Sequence, residues 1–265
     1  MLRARLATAA VEIPALLALI LYSPVWPFAA VVGVIAVLGL DEYAAMAFAG
    51  RRGERVLTTG LGSLVLVAAL YQADGRLLAA ALTLTVATEL VWVLFARPDF
   101  EQGLRDVGLS LAGILYVGLF MPYFVWVRRA APDGPLWVIF VLLIAMAGDT
   151  GGYATGHLIG RHKLAPRISP GKTIEGAIGI VLVSLLAGAA AKLIFLPVTW
   201  TTVLVLAGIM AVIGQLGDLS ESIMKRTFNV KESGWVLPGH GGVLDRIDSL
   251  LFPVAFVYYY IVFLR

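Results

Sequence analysis

The chain has no cysteine and only three histidines among its 265 residues. Disulfides, thiolate nucleophiles and cysteine-ligated metals are excluded, and His157, His162 and His240 are too few and too scattered to build a histidine metal cage. Charge is also scarce: Asp, Glu, Lys and Arg make up 14%, against about 25% in an average soluble domain. Hydrophobic residues reach 60%, where a soluble chain carries about 45–50%. They fill whole runs instead of one helical face, as expected where the outer solvent is hydrocarbon and backbone polar groups must be satisfied within a helix. A soluble helical protein of this composition would expose more apolar surface than water tolerates. The sequence therefore predicts an all-α, polytopic integral membrane protein.

A spanning helix needs about 20 mostly apolar residues. Segments meeting this requirement fall at 5–22, 26–48, 56–72, 76–96, 105–127, 135–159, 173–195, 199–224 and 248–264, which predicts about nine membrane helices. Arg3 and Arg5 before an apolar run resemble a signal peptide, but Glu12 and Pro14 interrupt the run and Pro24 spoils cleavage after Ser23. A retained first helix is expected. No fixed-period repeat or long linker divides the chain. Residues 1–265 are expected to form one membrane domain, with 1–135 as scaffold and 136–265 carrying the chemistry.

The basic residues are unevenly placed. With nine spans and a cytoplasmic amino terminus, the cytoplasmic side receives Arg3, Arg5, Arg51, Arg52, Arg55, Arg97 and Arg105. It also receives Arg161, Lys163, Arg167, Lys172, Lys225, Arg226, Lys231 and Arg246. The opposite side receives Arg76, Arg128, Arg129 and Arg265, and Lys192 lies within a span. Cytoplasmic loops carry such an excess, so the two longest polar loops are expected to face the cytoplasm.

Three stretches hold polar residues that membrane insertion alone does not require. In the stretch 214–226, Asp218, Ser222 and Lys225 are spaced to share one helical face. An acid inside a span is costly unless it is paired or metal-bound, and suggests function; a structural Asp218–Lys225 pair is the plainer alternative. In the stretch 231–249, Pro-Gly-His-Gly-Gly is a loop whose backbone can approach a ligand closely or form an anion-binding nest. Asp245 and Asp248 follow at i, i+3 spacing; here the plainer alternative is a glycine turn with a helix-capping aspartate. Oxygen donors without thiolates suit Mg²⁺, which takes one or two carboxylates plus substrate phosphates.

In the third stretch, Gly148, Gly152, Gly156 and Gly160 recur every four residues and form a flat face for helix packing. Packing explains these glycines but not Asp149, which again lies in an apolar run. His157 is expected to be a hydrogen-bonded helix residue. Gly171-Lys172-Thr173 invites a P-loop reading, but position 166 is Pro166 where that motif needs glycine, and no soluble strand precedes it. Basic residues around this tripeptide can serve lipid headgroups, nucleotide phosphates or topology.

With these residues in place, the chain resembles the phosphatidate cytidylyltransferases, also called CDP-diacylglycerol synthases. Ser222, Lys225, Arg226, Lys231, His240, Gly241, Gly242, Asp245, Arg246 and Asp248 match that family's carboxy-terminal pattern in order and spacing. Upstream, Asp149, Tyr153, Gly156, Gly160, Ser169-Pro170, Lys172-Thr173 and Glu175-Gly176 match as well. Glu232 departs from the pattern, keeping the family aspartate's charge on a longer arm.

The resemblance implies that CTP and phosphatidic acid give CDP-diacylglycerol and pyrophosphate, with Mg²⁺ required and a second cation compatible. It implies Asp218 and Asp245 as leading metal ligands, with Asp149 and Asp248 supporting. Lys225, Arg226 and Arg246 would hold phosphates, and Ser169, Lys172 and Thr173 would contact a phosphate from the other polar loop. Ser222, Lys231, Gly241 and Gly242 complete the expected substrate-binding set. The phosphate nucleophile is already ionised near neutral pH, so His240 is expected to donate a hydrogen bond or organise its loop, not to act as a base. Expected partners are CTP and a lipid in the inner membrane, with no nucleic acid; the family is compatible with a homodimer. A transporter with intramembrane acids is the rival of another class, and would normally show two similar halves, which are not evident. A CTP-using enzyme acting on an isoprenoid lipid is the nearer rival.

Overall fold

A computed structural model describes residues 13–71, 75–96, 98–234 and 241–265. The apolar runs form α1 (Ile13–Tyr22), α2 (Val25–Ala47), α3 (Arg52–Tyr71), α4 (Gly75–Ala96) and α5 (Phe100–Gly113). A π-helical turn, Ile114–Leu119, leads to α6 (Tyr123–Ala130) and α7 (Gly134–Ile159). A two-stranded hairpin, β1 (Lys163–Ala165) and β2 (Ser169–Thr173), precedes α8 (Ile174–Ile194), α9 (Trp200–Thr227) and α10 (Leu244–Phe263).

Among the described residues, eight helical stretches are long and apolar enough to cross a membrane. The expected first span is described only from residue 13, as the short α1; the rest of it lies outside the described residues. The expected segment 105–127 is the 31-residue stretch Phe100–Ala130. The π turn and Pro122, which has no N–H to donate, interrupt its regular helix. Helix α9 runs to Thr227 and α10 begins at Leu244, both into charged turns that hydropathy alone trims away. The hairpin is an addition to the expected all-helical fold. Its strands are antiparallel, with Lys163 opposite Thr173 and Ala165 opposite Ser169.

Close helix approach sets the carboxy-terminal half. Gly148, Gly151, Gly152 and Gly156 of α7 lie against Ile180, Val183, Ser184 and Gly176 of α8, the packing role expected of the glycine stripe. Helices α9 and α10 meet through Gly214 and Gly217: a Cβ at Gly217 would stand 2.5 Å from the Asp248 carbonyl oxygen. Helix α10 also packs on α7, α6 and α2, so it joins both halves of the chain. Trp137, Phe140, Leu244, Leu251 and Val254 lie fully buried in the shared core.

The bundle has two polar ends. At one, Arg51 pairs with Asp106 at 2.5 Å, Glu42 accepts from the Val243 amide, and Arg226 donates to the Ile168 carbonyl. At the other, Arg128 donates to the Ser23 carbonyl and Arg265 pairs with Asp133 at 2.7 Å. Hydrogen bonding from Arg265 holds the Asp133 carboxyl below its usual range.

The glycine contacts differ in consequence. Gly217→Ala should lower the thermal midpoint in detergent by the equivalent of about 1–3 kcal/mol, because the opposing atom is backbone. Gly60→Ala, with nothing within 4 Å of a new Cβ, should not lower it.

Candidate active site

The polar end formed by the hairpin, residues 228–234 and residues 241–243 carries residues singled out in the sequence. Thr173 ends β2 and caps α8, its hydroxyl accepting from the Gly176 amide at 3.1 Å. Glu175, one residue into α8, accepts from the Arg161 and His162 amides and contacts His162 Nδ1 at 2.6 Å. This fixes the base of the hairpin. Its tip is held by Arg226 at the end of α9, whose Nε donates to the Ile168 carbonyl at 3.0 Å. Between these two anchors, Lys172 Nζ reaches Asp218 Oδ2 of α9 at 2.6 Å.

Asp149, Lys172 and Asp218, from α7, β2 and α9, line one cavity of about 490 Å³. Tyr153, His157, Leu164 and Ala177 line it as well, so the cavity pairs a charged end with an apolar wall. A smaller recess lined by Asp149, Asp218, Gln215 and Ser249 continues from it between α7, α9 and α10. Asp149 experiences the fields of Asp218, Lys172 and Arg246. The Ser249 hydroxyl lies 3.5 Å from Asp149 Oδ2, and that of Ser222 lies 3.5 Å from Asp218 Oδ1.

A second cluster adjoins the first along α9. Lys225 contacts Glu221, one helical turn back, and donates to Asp245 Oδ1 at 2.5 Å. The Asp218–Lys225 pair considered from the sequence is therefore not formed; each residue has another partner. Asp245 Oδ2 accepts from the Ser233 amide at 3.0 Å, the Ser233 hydroxyl at 2.9 Å and the Gly242 amide at 2.9 Å. Both Asp245 oxygens are thus engaged in closing the loop, and Asp245 does not line the cavity with Asp149 and Asp218. Gly241 adopts φ +76°, which glycine reaches without strain. Asp248 is buried beside this cluster, within the fields of Asp218 and Glu221, and its Oδ1 accepts from the Ser249 amide.

Of the other expected site residues, Ser169 lies on β2 and Ser222 is buried on α9. Arg246 and Lys231 are exposed at the same end. His240 lies outside the described residues.

The sequence reading missed Glu42 and Glu221, and named Glu175 only within the family pattern. Glu42 is 5% exposed near the end of α2 and accepts from the Val243 amide (3.0 Å), the Leu244 amide (2.9 Å) and the Ser233 hydroxyl (3.1 Å). It pins both feet of the 233–244 loop from the scaffold half. Its signal was present as an acid following an unbroken apolar run.

Chemically, the carboxylates Asp149, Asp218, Glu221, Asp245 and Asp248 outnumber the cations Lys172, Lys225 and Arg246. Among the described residues, no group of three or more His, Cys, Asp and Glu side chains is arranged to hold a metal ion. The two cavity carboxylates instead suit a hard cation that completes its shell with substrate oxygens.

The sequence profile of the Cytidylyltransferase family matches residues 3–264. The chain belongs to that family. Among its relatives, the phosphatidate cytidylyltransferase of Bacillus subtilis is 34% identical over 190 residues, covering 71% of this chain and 70% of that protein. Phosphatidate cytidylyltransferases of Staphylococcus epidermidis and Staphylococcus haemolyticus are 43% and 45% identical, each over 56% of both chains. The cytidylyltransferase family resemblance drawn from these motifs is thereby shown, in a chain with eight membrane-length apolar helices among its described residues.

The Glu42 contacts carry a test. In Glu42→Gln, an NH₂ group faces an N–H donor, leaving a buried polar group unsatisfied at a cost of about 1–3 kcal/mol. Turnover should fall by about tenfold or more, with a lower thermal midpoint in detergent; unchanged values of both would remove Glu42 from the site's support.

Proposed function

We propose that this cytidylyltransferase joins CTP to phosphatidic acid, forming CDP-diacylglycerol and pyrophosphate at the polar end that holds Asp149, Lys172 and Asp218. The enzyme is an integral membrane nucleotidyltransferase of phospholipid synthesis. One observation carries the placement: the cavity gathers two carboxylates and a lysine from three separate elements while one wall remains apolar. An anionic triphosphate and the headgroup of a lipid need such a boundary between charge and hydrocarbon.

In the reaction, a phosphatidate oxygen forms a bond to the α-phosphorus of CTP, and the bond from that phosphorus to the bridging oxygen breaks as pyrophosphate leaves. Both reactants are anions, so positioned positive charge is the main requirement. Asp149 and Asp218 would hold Mg²⁺, which would supply positive charge to offset that of the triphosphate and the departing pyrophosphate. Lys172 sits where it can exchange the Asp218 carboxylate for a phosphate oxygen. Arg226 keeps the hairpin, and so Lys172, in place. Lys225 holds the glycine loop to α9 through Asp245, which makes Asp245 a positioning residue in this arrangement. Arg246 faces the same end and can hold a phosphate.

The cytoplasmic orientation of this end is supported by its basic residues. Arg51, Arg52, Arg55, Arg105, Arg161, Lys163, Arg167, Lys231 and Arg246 flank it, whereas Arg76, Arg128, Arg129 and Arg265 flank the other. CTP would enter from the cytosol and the lipid from the adjoining leaflet of the inner membrane.

The decisive measurement incubates purified protein with labelled CTP, Mg²⁺ and phosphatidic acid. CDP-lipid and pyrophosphate should form in equal amounts, and chelation of divalent cations should abolish both. Asp218→Asn and Asp149→Asn should each reduce turnover by about 10²-fold or more without comparable loss of thermal stability. Transfer to an isoprenoid phosphate alone would redirect the assignment, and no cytidylyl transfer would overturn it.

A further inference from the structure

The seam between α2 and α3 shares no lining residue with the candidate active site, yet it ends at the same polar end of the bundle. There, Asp41 and Phe48 on the α2 side face Arg52, Arg55 and Val56 of α3 across a cavity of about 510 Å³, completed by Arg51. Arg51 pairs with Asp106 at 2.5 Å and stands 5.0 Å over the Phe48 ring. Arg55 grips Asp41 through Nε at 2.9 Å and a terminal nitrogen at 2.5 Å. Arg52 has no ionic partner among the described residues. The lining thus carries three guanidinium groups against the single Asp41 carboxylate. Each guanidinium has five N–H donors, so pairing with one carboxylate leaves donors for a further anion.

The seam continues as a second cavity of about 490 Å³, lined by Val34, Val37 and Leu38 of α2 and by Ser63, Val67 and Leu70 of α3. Its walls are almost wholly apolar. Val34, Leu38, Asp41, Ala45 and Phe48 recur at three- or four-residue intervals along one face of α2. Arg52, Val56, Ser63, Val67 and Leu70 share one face of α3, with one seven-residue step between Val56 and Ser63. The two cavities therefore follow one another along a single strip of the α2–α3 seam. From Asp41 to Ala30 the strip is roughly 16 Å long at about 1.5 Å per residue, close to half the ~30 Å hydrocarbon core. Val34 and Val67 are 61% and 63% exposed, so nothing among the described residues covers them.

We propose that this seam binds one anionic glycerophospholipid, with its phosphate held by Arg51, Arg52 and Arg55 and an acyl chain lying in the apolar groove. Basic pockets between membrane helices bind such headgroups. A free phosphate would account for the first cavity only, whereas an amphiphile accounts for both and for their order along the membrane normal. The site rests on the membrane-spanning fold and not on the proposed reaction, so either can fail without the other.

The test uses the purified full chain and native mass spectrometry after incubation with phosphatidylglycerol or phosphatidylcholine. Phosphatidylglycerol should be retained about tenfold more strongly. Arg52→Glu, which reverses the unpaired charge, and Val34→Trp, which fills the groove, should each reduce that retention severalfold. Turnover of CTP in micelles free of phosphatidylglycerol should be unchanged in both variants, which separates loss of the site from loss of folding. Millimolar inorganic phosphate should fail to displace the lipid. Equal retention of the two lipids would overturn the proposal. So would displacement by inorganic phosphate with no effect of Val34→Trp, which would mark a headgroup-only site. Disulfide cross-linking of Val67→Cys between two copies of the chain, at full yield, would assign the strip to a subunit interface and also overturn it.

Discussion

Lys225 is the charge on which the polar end depends. It stands between Glu221, one turn back on its own helix, and Asp245 at the start of α10, and so connects two stretches separated by the glycine loop. Glu221 is completely buried, and a carboxylate in that position is tolerable only beside a cation. Removing Lys225 would leave two acids facing each other in a dry region and would release the loop that Asp245 closes. The Lys172–Asp218 pair follows the same physics but is more accessible, with side-chain exposures of 24% and 33%. The buried pair holds the architecture, and the other borders the cavity.

Backbone proximity complements this charge pairing. Where α7 meets α8 and α9 meets α10, glycines let the main chains approach closely enough that acids on separate helices share one recess. Asp149 follows Gly148 directly, and Asp218 follows Gly217 directly. In each case the residue that permits the close approach is adjacent to the one exposed to the cavity. Packing and placement of the carboxylates are therefore the same local event, and a bulkier residue at either glycine would move both.

Much of this was readable from the chain alone, because hydrocarbon imposes a simple rule: residues that are neither apolar nor small need a reason to be there. Asp149, Asp218 and the stretch around Asp245 stood out on that ground, and the apolar runs located the spans to within several residues. The hairpin escaped notice because its strands are three and five residues long, contain Pro170 and alternate weakly. They hold their shape through Glu175 and Arg226 instead of through their own pattern. The partners of Lys225 and Lys172 were equally hidden. Helical spacing put Asp218 and Lys225 on one face, but the geometry between helices, which sequence spacing does not describe, paired Asp218 with Lys172 and Lys225 with Asp245 as well as with Glu221. Glu42 was overlooked because it lies in the half assigned to scaffold and answers to groups near the other end of the chain.

That distance has a consequence for biogenesis. The Glu42 bonds to Ser233, Val243 and Leu244 span 191, 201 and 202 residues. During synthesis α2 is made early, and its acid must wait, still hydrated at the membrane surface, until almost the entire polypeptide has left the ribosome. Ser233, Val243 and Leu244 are thus fixed only as the last helix settles against the second. A chain truncated before α10 would insert most of its helices and still hold an acid without its partners, a local defect that membrane quality control could recognise.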